Sequence, residues 1–317
     1  MTLLVTGSAG HLGEALMRTL RAAGRPARGL DRLPSPFTDQ VGSICDAKFV
    51  AEAMAGVTGV IHTATLHKPH VATHARQAFV DVNVTGTLAV LEAAARAGVE
   101  SFVMTSTTSA FGAALTPARG EPAAWITEDV QPVPRNIYGV TKTAAESLCE
   151  LFCRAYGLPV IVLRTSRFFP EADDDPEVSG GFALENVQAN ELTYRRVDIE
   201  DIVSAHLAAL EHAPRVGFAR YIISATTPFS HGDLAELRAD APAVLRRLFP
   251  QSGPLFAALR WRMFPSLDRV YVNDRARAEL GWRPKYDFAH VLACLARGED
   301  FRSELAKAVG SKGYHRS

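Results

Sequence analysis

The chain has 317 residues, of which 47% are hydrophobic and 21% are charged, a composition typical of a soluble globular protein with one or two domains. Lysine plus arginine and aspartate plus glutamate both number 34, so the net charge gives no reason to expect binding to nucleic acid or to a membrane surface. The first residues lack the pattern of a signal peptide and no run approaches the roughly 18 apolar residues of a membrane span, which favours a cytoplasmic protein.

Short apolar runs alternate with helical patterns over the first half of the chain, as in βαβ units with a parallel sheet. Wholly apolar runs such as 160–163 suit a sheet that is covered by helices on both faces. We predict strands at 3–6, 28–31, 57–62, 102–106 and 159–164, and helices at 12–23, 47–55, 83–97 and 138–156. The fold class expected from this order is α/β with a doubly wound parallel sheet.

The regular alternation of strand and helix patterns ends after residue 164. Residues 170–181 are acidic and contain proline, so we expect a loop there, whereas 197–212 returns to a strand and a helix. Residues 228–265 mix proline, arginine and aromatic residues without clear periodicity. We predict a sheet domain over 1–165, to which 197–212 returns, and a smaller α/β lobe formed by most of 166–317.

A glycine-rich turn joins the first predicted strand to the first predicted helix. Gly7, Gly10 and Gly13 follow that strand directly and open the helix. A β-carbon in such a turn would keep the backbone away from a diphosphate, while the helix N-terminus supplies N–H donors and a partial positive charge. The spacing is GxxGxxG and not the commoner GxGxxG, and glycines can also simply make a tight turn. Their place between strand and helix favours dinucleotide binding.

Asp31 ends the second predicted strand and bears on the choice of dinucleotide. A carboxylate there accepts hydrogen bonds from the adenosine ribose and repels a 2′-phosphate, which favours NAD over NADP. Arg28 and Arg32 argue the other way, because a guanidinium can receive that phosphate. We predict NAD.

Tyr138 and Lys142 lie four residues apart on a predicted helix and therefore share a face. A nearby ammonium favours the phenolate, so we expect the pKa of Tyr138 to fall below its ordinary value of about 10. With a nicotinamide cofactor, such a phenol can exchange the hydroxyl proton while a hydride leaves or reaches the alcohol carbon.

These motifs together resemble the extended short-chain dehydrogenase/reductase family, specifically its NAD-dependent sugar epimerase/dehydratase branch, typified by UDP-glucose 4-epimerase. The resemblance covers most of the first 210 residues and its segments occur in the family's order. They are GSAGHLG at 7–13, Asp31, IHTA at 61–64, NVTGT at 83–87, TSTTSAFG at 105–112, YGVTK at 138–142 and RVDIEDI at 196–202. The resemblance implies a Rossmann domain at 1–165, a substrate-binding lobe within 166–317, and a homodimer formed through helices 83–97 and 138–156.

The resemblance also implies roles for individual residues. Tyr138 would be the acid/base, Lys142 its electrostatic partner, and Thr107 the holder of the substrate oxygen, an assignment that could slip by one residue. Thr107, Thr108 and Arg167 would contact substrate, and Asn83 would stabilise the loop and helix beside the cofactor. The implied cofactor-binding set is Gly7, Gly10, His11, Leu12, Gly13, Asp31, Arg32, Ile44, Ala64, Thr65, His67, Asn83, Tyr138 and Lys142.

The chain departs from the family in ways that concern substrate. Thr108 and Ser109 stand where 4,6-dehydratases carry Asp-Glu, so dehydration is not expected. Residues 164–167 read RTSR where UDP-sugar epimerases have R-Y-F-N, and Arg167, Arg195 or Arg196 are the candidates for an arginine at a substrate diphosphate. We expect no metal, because His62, His67, His70 and His74 have no evident carboxylate or cysteine partner.

The expected activity is that of an NAD-dependent oxidoreductase or epimerase acting on a secondary alcohol of a sugar, nucleotide sugar or related polyol. Net oxidation and epimerisation use the same residues, so the sequence leaves this choice open. The alternative is a non-catalytic NAD(P)-binding sensor or regulatory protein on the same fold.

Overall fold

The structure, a computed structural model, describes residues 2–171 and 181–313. The strands are β1 (Leu3–Thr6), β2 (Ala27–Asp31), β3 (Gln40–Val41), β4 (Gly59–His62), β5 (Ser101–Thr107), β6 (Ala124–Ile126), β7 (Val160–Thr165), β8 (Phe218–Ile223) and β9 (Arg269–Tyr271). Among the described residues, seven of them form one parallel sheet in the order β3-β2-β1-β4-β5-β7-β8. Strands β6 and β9 pair separately.

Helices connect and cover these strands. They are α1 (His11–Ala22), α2 (Ala47–Ala53), α3 (Arg76–Val80), α4 (Thr87–Arg96), α5 (Ile137–Tyr156), α6 (Leu184–Glu191), α7 (Ile199–Val216), α8 (Leu234–Leu248), α9 (Ser252–Ala258), α10 (Asp274–Glu279), α11 (Phe288–Arg297) and α12 (Glu304–Val309). A π-helical segment, Asp81–Gly86, joins α3 to α4, and 3₁₀ turns occupy Lys68–Ala72, Thr108–Ala110 and His231–Asp233.

Successive side chains of β1 point to opposite faces of the sheet, as the strand period requires. Leu3 and Val5 belong to a core that contains α1 and α7, whereas Leu4 belongs to a core that contains α2, α4 and α5. Both faces are therefore buried under helices, which confirms the predicted α/β fold with a doubly wound parallel sheet.

The return to the sheet after residue 196 differs from the prediction. No strand begins at Val197 among the described residues; Arg196 makes a single bridge to Arg167, and α7 begins at Ile199 after Asp198 caps it. The last strand of the sheet is instead β8, which follows α7 and pairs with β7. Its first three residues are only partly buried, so the sequence lacks the apolar run that marks the central strands.

A further hydrophobic core lies outside the sheet and is built from α6, α8, α9 and α11. Two of these helices fall within 228–265, where the sequence shows no periodicity. Helix α8 loses helical backbone angles at Asp240, two residues before Pro242, and this kink interrupts the apolar repeat. Most of the loop predicted at 170–181 lies outside the described residues.

The continuous helical run Arg76–Arg96 has 21 residues and is long and apolar enough to cross a membrane by length and composition. The sequence predicts no such run. Half of its most apolar window is buried inside the protein, and the buried Asn83 and Thr87 lie within it. A core helix of a soluble protein has the same properties, so the run is weak evidence for a membrane span.

Candidate active site

The candidate site is a cavity of about 670 Å³ at the carboxyl ends of the parallel strands. In open α/β sheets, ligands bind in the crevice where neighbouring connections leave in opposite directions, here between β1 and β4. The wall combines the glycine turn after β1, the loop after β4, the end of β5 and the loop after β7.

The glycine turn is closed so tightly that two of its positions admit only glycine. Gly7 has φ +76°, and a β-carbon there would lie 2.7 Å from the backbone nitrogen of Ala64. A β-carbon on Gly13 would lie 1.9 Å from the carbonyl oxygen of Gly7. Gly10 is the N-cap residue before α1 and offers no side-chain cap, so the backbone N–H groups of the first helical turn remain available at the cavity. This arrangement fits a dinucleotide diphosphate.

Asp31 is held beside this turn by two backbone bonds. Its carboxylate accepts hydrogen bonds from the Ala9 nitrogen at 3.0 Å and the Leu33 nitrogen at 2.9 Å. Asp31 and Arg32 both line the cavity, together with the buried Ile44. The structure thus brings the residues predicted for the adenosine half of a dinucleotide to one end of the cavity.

Asn83 connects the loop after β4 to helix α5. Its side-chain oxygen accepts hydrogen bonds from the Leu66 nitrogen at 2.8 Å and the Thr65 hydroxyl at 2.9 Å. Its amide nitrogen donates to the Leu66 carbonyl at 2.9 Å and to the Thr141 hydroxyl at 3.1 Å. The surrounding π-helical turn is a geometry that often marks functional sites. Asn83 therefore fixes the cavity wall from behind.

Tyr138 and Thr107 meet in the wall of the cavity. Asn136 caps α5 by accepting a hydrogen bond from the Gly139 nitrogen at 3.0 Å, which places Tyr138 in the first helical turn. Thr107 ends β5, lines the cavity and is hydrogen-bonded to the phenol of Tyr138. The Thr107 oxygen also accepts from the Ser109 nitrogen at 3.0 Å. A phenol and a hydroxyl can thus contact one substrate oxygen.

Lys142 lies one turn behind Tyr138, and its ammonium donates to the carbonyl oxygen of Thr105 at 2.6 Å. Burial lowers the pKa of Lys142 to about 8, although the charge of Glu146 opposes the fall. Burial raises the pKa of Tyr138 to about 12, with the hydrogen bond to Thr107 opposing the rise. The predicted lowering of the tyrosine pKa is therefore wrong for this structure, because loss of solvation outweighs the favourable neighbours.

A buried ion cluster supports the floor of the site and escapes the sequence analysis. Glu146, one turn beyond Lys142, accepts hydrogen bonds from the Ser106 hydroxyl at 2.5 Å and from Arg164 at 2.7 Å. Arg220 approaches the same carboxylate at 3.2 Å. Ser106 precedes Thr107, so the cluster anchors the strand end that carries the candidate substrate hydroxyl. Its sequence signal is the glutamate four residues after the lysine.

Side chains from distant loops complete the cavity wall, and Phe169 reaches the glycine turn, with its ring centroid 5.2 Å from that of His11. Phe169 stacks on His67 with ring centroids 5.0 Å apart and an interplanar angle of 13°. Arg167 and Arg195 also line the cavity, and Arg195 forms an ion pair with Glu191 at 2.8 Å. Arg196 pairs with the same carboxylate at 2.8 Å and is absent from the cavity lining among the described residues. Other wall residues that the sequence does not assign to the site include Leu66, Ser109, Thr165, Ser166, Phe168, Phe169, Tyr271 and Lys312.

Most predicted site residues line this one cavity. Asn83 and Lys142 are the two predicted residues that do not line it within the described part of the chain; both lie buried directly behind the wall. His67, His70 and His74 contact one another through their rings, and no group of three metal-ligating residues occurs in 2–171 and 181–313. The predicted residues on the wall are Gly7, Gly10, His11, Leu12, Gly13, Asp31, Arg32, Ile44, Ala64, Thr65, His67, Thr107, Thr108, Tyr138 and Arg167.

Comparison with known proteins identifies the family. Residues 3–222 match the model of the NAD dependent epimerase/dehydratase family. The chain belongs to this family. Members of the family are enzymes. The resemblance of this chain to extended short-chain dehydrogenases/reductases of the UDP-glucose 4-epimerase type is confirmed.

Relatives with different printed activities are similarly distant in sequence. The chain is 28% identical to a UDP-glucose 4-epimerase of Azospirillum brasilense, over 98% of this chain and 94% of the relative. It is 27% identical to a 3 beta-hydroxysteroid dehydrogenase/Delta 5-->4-isomerase of Mycobacterium tuberculosis, over 92% and 89% of the two chains. It spans 56% of the length of an uncharacterized protein, y4nG, of Sinorhizobium fredii at 29% identity.

Solved structures share the fold over almost the whole chain. A short-chain dehydrogenase/reductase superfamily protein from Agrobacterium tumefaciens with bound NAD is 25% identical, with a TM-score of 0.63 over 97% of this chain and 99% of that chain. MoeE5 in complex with UDP-glucose and NAD is 23% identical, with a TM-score of 0.64 over 94% and 99%. The first of these supports NAD as the dinucleotide of this family, and the second supports the fold.

Proposed function

We propose that this protein is an NAD-dependent oxidoreductase or epimerase that acts on a secondary alcohol of a sugar, nucleotide sugar or related polyol. One observation carries the proposal: the phenol of Tyr138 and the hydroxyl of Thr107 lie in the same cavity as a turn that only glycine can form. In this proposal NAD is preferred to NADP, because Asp31 is fixed beside that turn.

NAD, when bound, would supply the acceptor and donor of hydride, and the protein would supply binding, orientation and proton transfer. The glycine turn, Asp31 and Ile44 would hold the dinucleotide. Thr107 would donate or accept a hydrogen bond at the substrate oxygen. Tyr138 would give its proton to a carbonyl oxygen during reduction and take the proton back during oxidation.

The protonation state of Tyr138 favours the reduction of a carbonyl over the oxidation of an alcohol. A phenol with a pKa of about 12 is protonated at neutral pH and is ready to donate. Oxidation requires the phenolate, which the buried cation of Lys142 would favour from the next turn of the same helix. Thr108 and Ser109 supply no carboxylic acid, so elimination of water is not part of the proposed reaction.

The substrate would enter from the end of the cavity that Arg167 and Arg195 line. Two guanidinium groups suit a phosphate or carboxylate group, which keeps a nucleotide sugar among the candidates. The substrate-binding lobe in this proposal is most of 166–317, with the sheet domain over 1–165 and its returning segment 197–212 holding the cofactor.

We further propose a cytoplasmic homodimer formed through 83–97 and 138–156, where Val140 and Leu151 of α5 are exposed. Sedimentation of the purified protein tests the dimer.

Replacing Tyr138 with Phe tests the enzymatic proposal. We expect turnover to fall by about 10²–10⁴-fold, the usual contribution of a general acid or base, while NAD affinity stays near that of the wild type. Wild type and variant are incubated with NAD and a panel of sugars and nucleotide sugars. NADH released into solution indicates net oxidation, whereas an isomerised sugar without release indicates epimerisation. Equal activity of the two proteins would remove Tyr138 from the chemistry.

The alternative is a non-catalytic NAD(P)-binding sensor on the same fold. It predicts NAD binding without turnover of any alcohol in the panel.

The same panel should contain an apolar secondary alcohol such as a sterol, because Phe168, Phe169 and Tyr271 give part of the wall an aromatic surface. The similarity to 3 beta-hydroxysteroid dehydrogenases favours this second substrate class. Turnover of the sterol and not of sugars would replace the proposed substrate and keep the proposed chemistry.

A further inference from the structure

The C-terminal residues of the described chain lie against the glycine turn. Helix α12 packs on the core that contains α1, through Leu305, Ala306 and Val309. Gly310 follows with φ +61° and turns the chain, so that residues 311–313 pass along the first turn of α1. Residues 310–313 are called the C-terminal strap below.

Three contacts hold the C-terminal strap in place. The backbone nitrogen of Lys312 donates to Nε2 of His11 at 3.1 Å and approaches Oε1 of Glu171 at 3.2 Å. The hydroxyl of Ser311 donates to the same Glu171 oxygen at 2.7 Å. His11 is the first residue of α1, and Glu171 follows the cavity-lining Phe169. The strap therefore connects the glycine turn to the loop after β7.

The side chain of Lys312 brings a positive charge to the first turn of α1. Lys312 is part of the cavity wall together with Gly10 and Gly13. Its ammonium forms an ion pair with the carboxylate of Glu14, which is 8% exposed and also pairs with Arg18 at 2.7 Å.

Glu14 would by itself oppose a dinucleotide. It lies one helical turn after Gly10, and a carboxylate so close to the first-turn amides reduces the attraction of the helix N-terminus for an anion. The carboxylate is nearly buried, so water and salt screen it weakly. Lys312, a residue of the cavity wall, and Arg18, a further turn along the helix, both offset this charge.

We propose that Lys312, presented by the C-terminal strap, is a further residue of the cofactor site and recognises the diphosphate of the dinucleotide. The proposal rests on the proposed NAD binding and adds to it a residue almost 300 positions away from the glycine turn in sequence. The ammonium contributes positive charge to the diphosphate end of the cavity and offsets the carboxylate of Glu14.

The test is a calorimetric titration of the wild type and of Lys312→Ala with NAD, ADP and adenosine. We expect Lys312→Ala to bind NAD and ADP about tenfold more weakly, or about 1.4 kcal/mol. Adenosine, which carries no phosphate, should bind both proteins equally. Lys307→Ala is the matched control, because Lys307 belongs to α12 and pairs with Glu304 on the surface. It should bind all three ligands like the wild type.

Two further variants separate charge from structure. Lys312→Arg keeps the charge and should retain most of the NAD affinity. Adding Glu14→Gln to Lys312→Ala removes the carboxylate that the lysine offsets, and should restore part of the lost affinity. Thermal unfolding of each variant, followed by circular dichroism, shows that the proteins compared are folded.

The outcomes distinguish this inference from the proposed function. Equal NAD affinity of the wild type and Lys312→Ala overturns the role of Lys312 and leaves the proposed function intact. Equal weakening for adenosine and ADP also overturns it, because the lysine would then act on the shape of the site and not on the diphosphate. A wild-type protein that binds no NAD overturns both proposals.

Discussion

The two ends of the cavity differ in whether backbone or side chains form the wall. The end proposed for the cofactor consists mainly of backbone: Gly7, Gly13 and the ends of parallel strands. A short local sequence determines the conformation of each of these segments. The end proposed for the substrate consists of side chains such as Arg167, Arg195 and Tyr271, which come from segments up to more than 100 residues apart. A ligand common to a family can be held by the first kind of wall, whereas substrate preference can change through single substitutions in the second.

The largest expected effect comes from disturbing the backbone-built end. Gly13→Ala places a β-carbon 1.9 Å from the carbonyl oxygen of Gly7, and neither backbone segment can move without opening the turn. We expect a loss of at least about 3 kcal/mol in the free energy of unfolding, together with loss of NAD binding. Chemical unfolding and calorimetric titration measure the two effects.

Gly253→Ala is the control for this substitution. Gly253 lies in helix α9, where a β-carbon would meet nothing within 4 Å. Alanine favours helix over glycine by about 1 kcal/mol, so this variant should be as stable as the wild type or slightly more stable. If Gly13→Ala behaved in the same way, the tight turn described above would be incorrect.

Lys142, buried behind the cavity wall one helical turn after Tyr138, should give an intermediate effect that depends on pH. Its pKa falls from 10.5 to about 8 on folding, so between these values the unfolded chain binds a proton that the folded protein has released. Stability contributed by this group therefore rises with pH from about 8 to about 10.5, by on the order of 3 kcal/mol over that whole range.

The measurement compares wild type with Lys142→Met, in which the charge is absent. Unfolding free energies are determined at pH 7 and pH 9.5 for both proteins. The wild type should gain stability relative to the variant at the higher pH. A difference that stays constant between the two pH values would contradict the lowered pKa.

The smallest expected effect comes from the side-chain-built end. Arg167→Ala should raise KM for the best substrate of the panel by about tenfold, equivalent to about 1.4 kcal/mol, and leave the affinity for NAD unchanged. Arg119→Ala, at an exposed loop position, serves as the control. A loss of NAD affinity in Arg167→Ala would show that the two ends of the cavity are not separable in this way.

The same contrast explains what the sequence could and could not predict. The bounds of β1 are those predicted, and the predicted helix 138–156 differs from α5 by one residue, because strong periodicity and a cap mark them. Strand β8 and helix α8 were missed, since the first is partly exposed and the second is kinked. Their formation depends on tertiary packing more than on local pattern.

The sequence predicts site residues that belong to local motifs and does not predict those that tertiary packing brings to the cavity. The glycine turn, Tyr138 and Thr107 were placed from motifs, and the structure brings them to one cavity. Phe169 and Lys312 have no motif, because their place depends on where loops and a chain end pack. The pKa of Tyr138 was predicted in the wrong direction, since the sequence shows the charged neighbour and not the loss of water that burial causes.

Asn83 makes the loop after β4 and the helix of Tyr138 mechanically dependent on each other. Its four hydrogen bonds join Thr65 and Leu66 on one side to Thr141 on the other. A displacement of the loop that did not carry the helix along would break buried bonds that stabilise the protein by about 1 kcal/mol each. The relative position of the loop after β4 and the first turns of α5 is therefore fixed by one buried amide, whose bond to Thr141 is the single side-chain link from Asn83 to the helix among the described contacts.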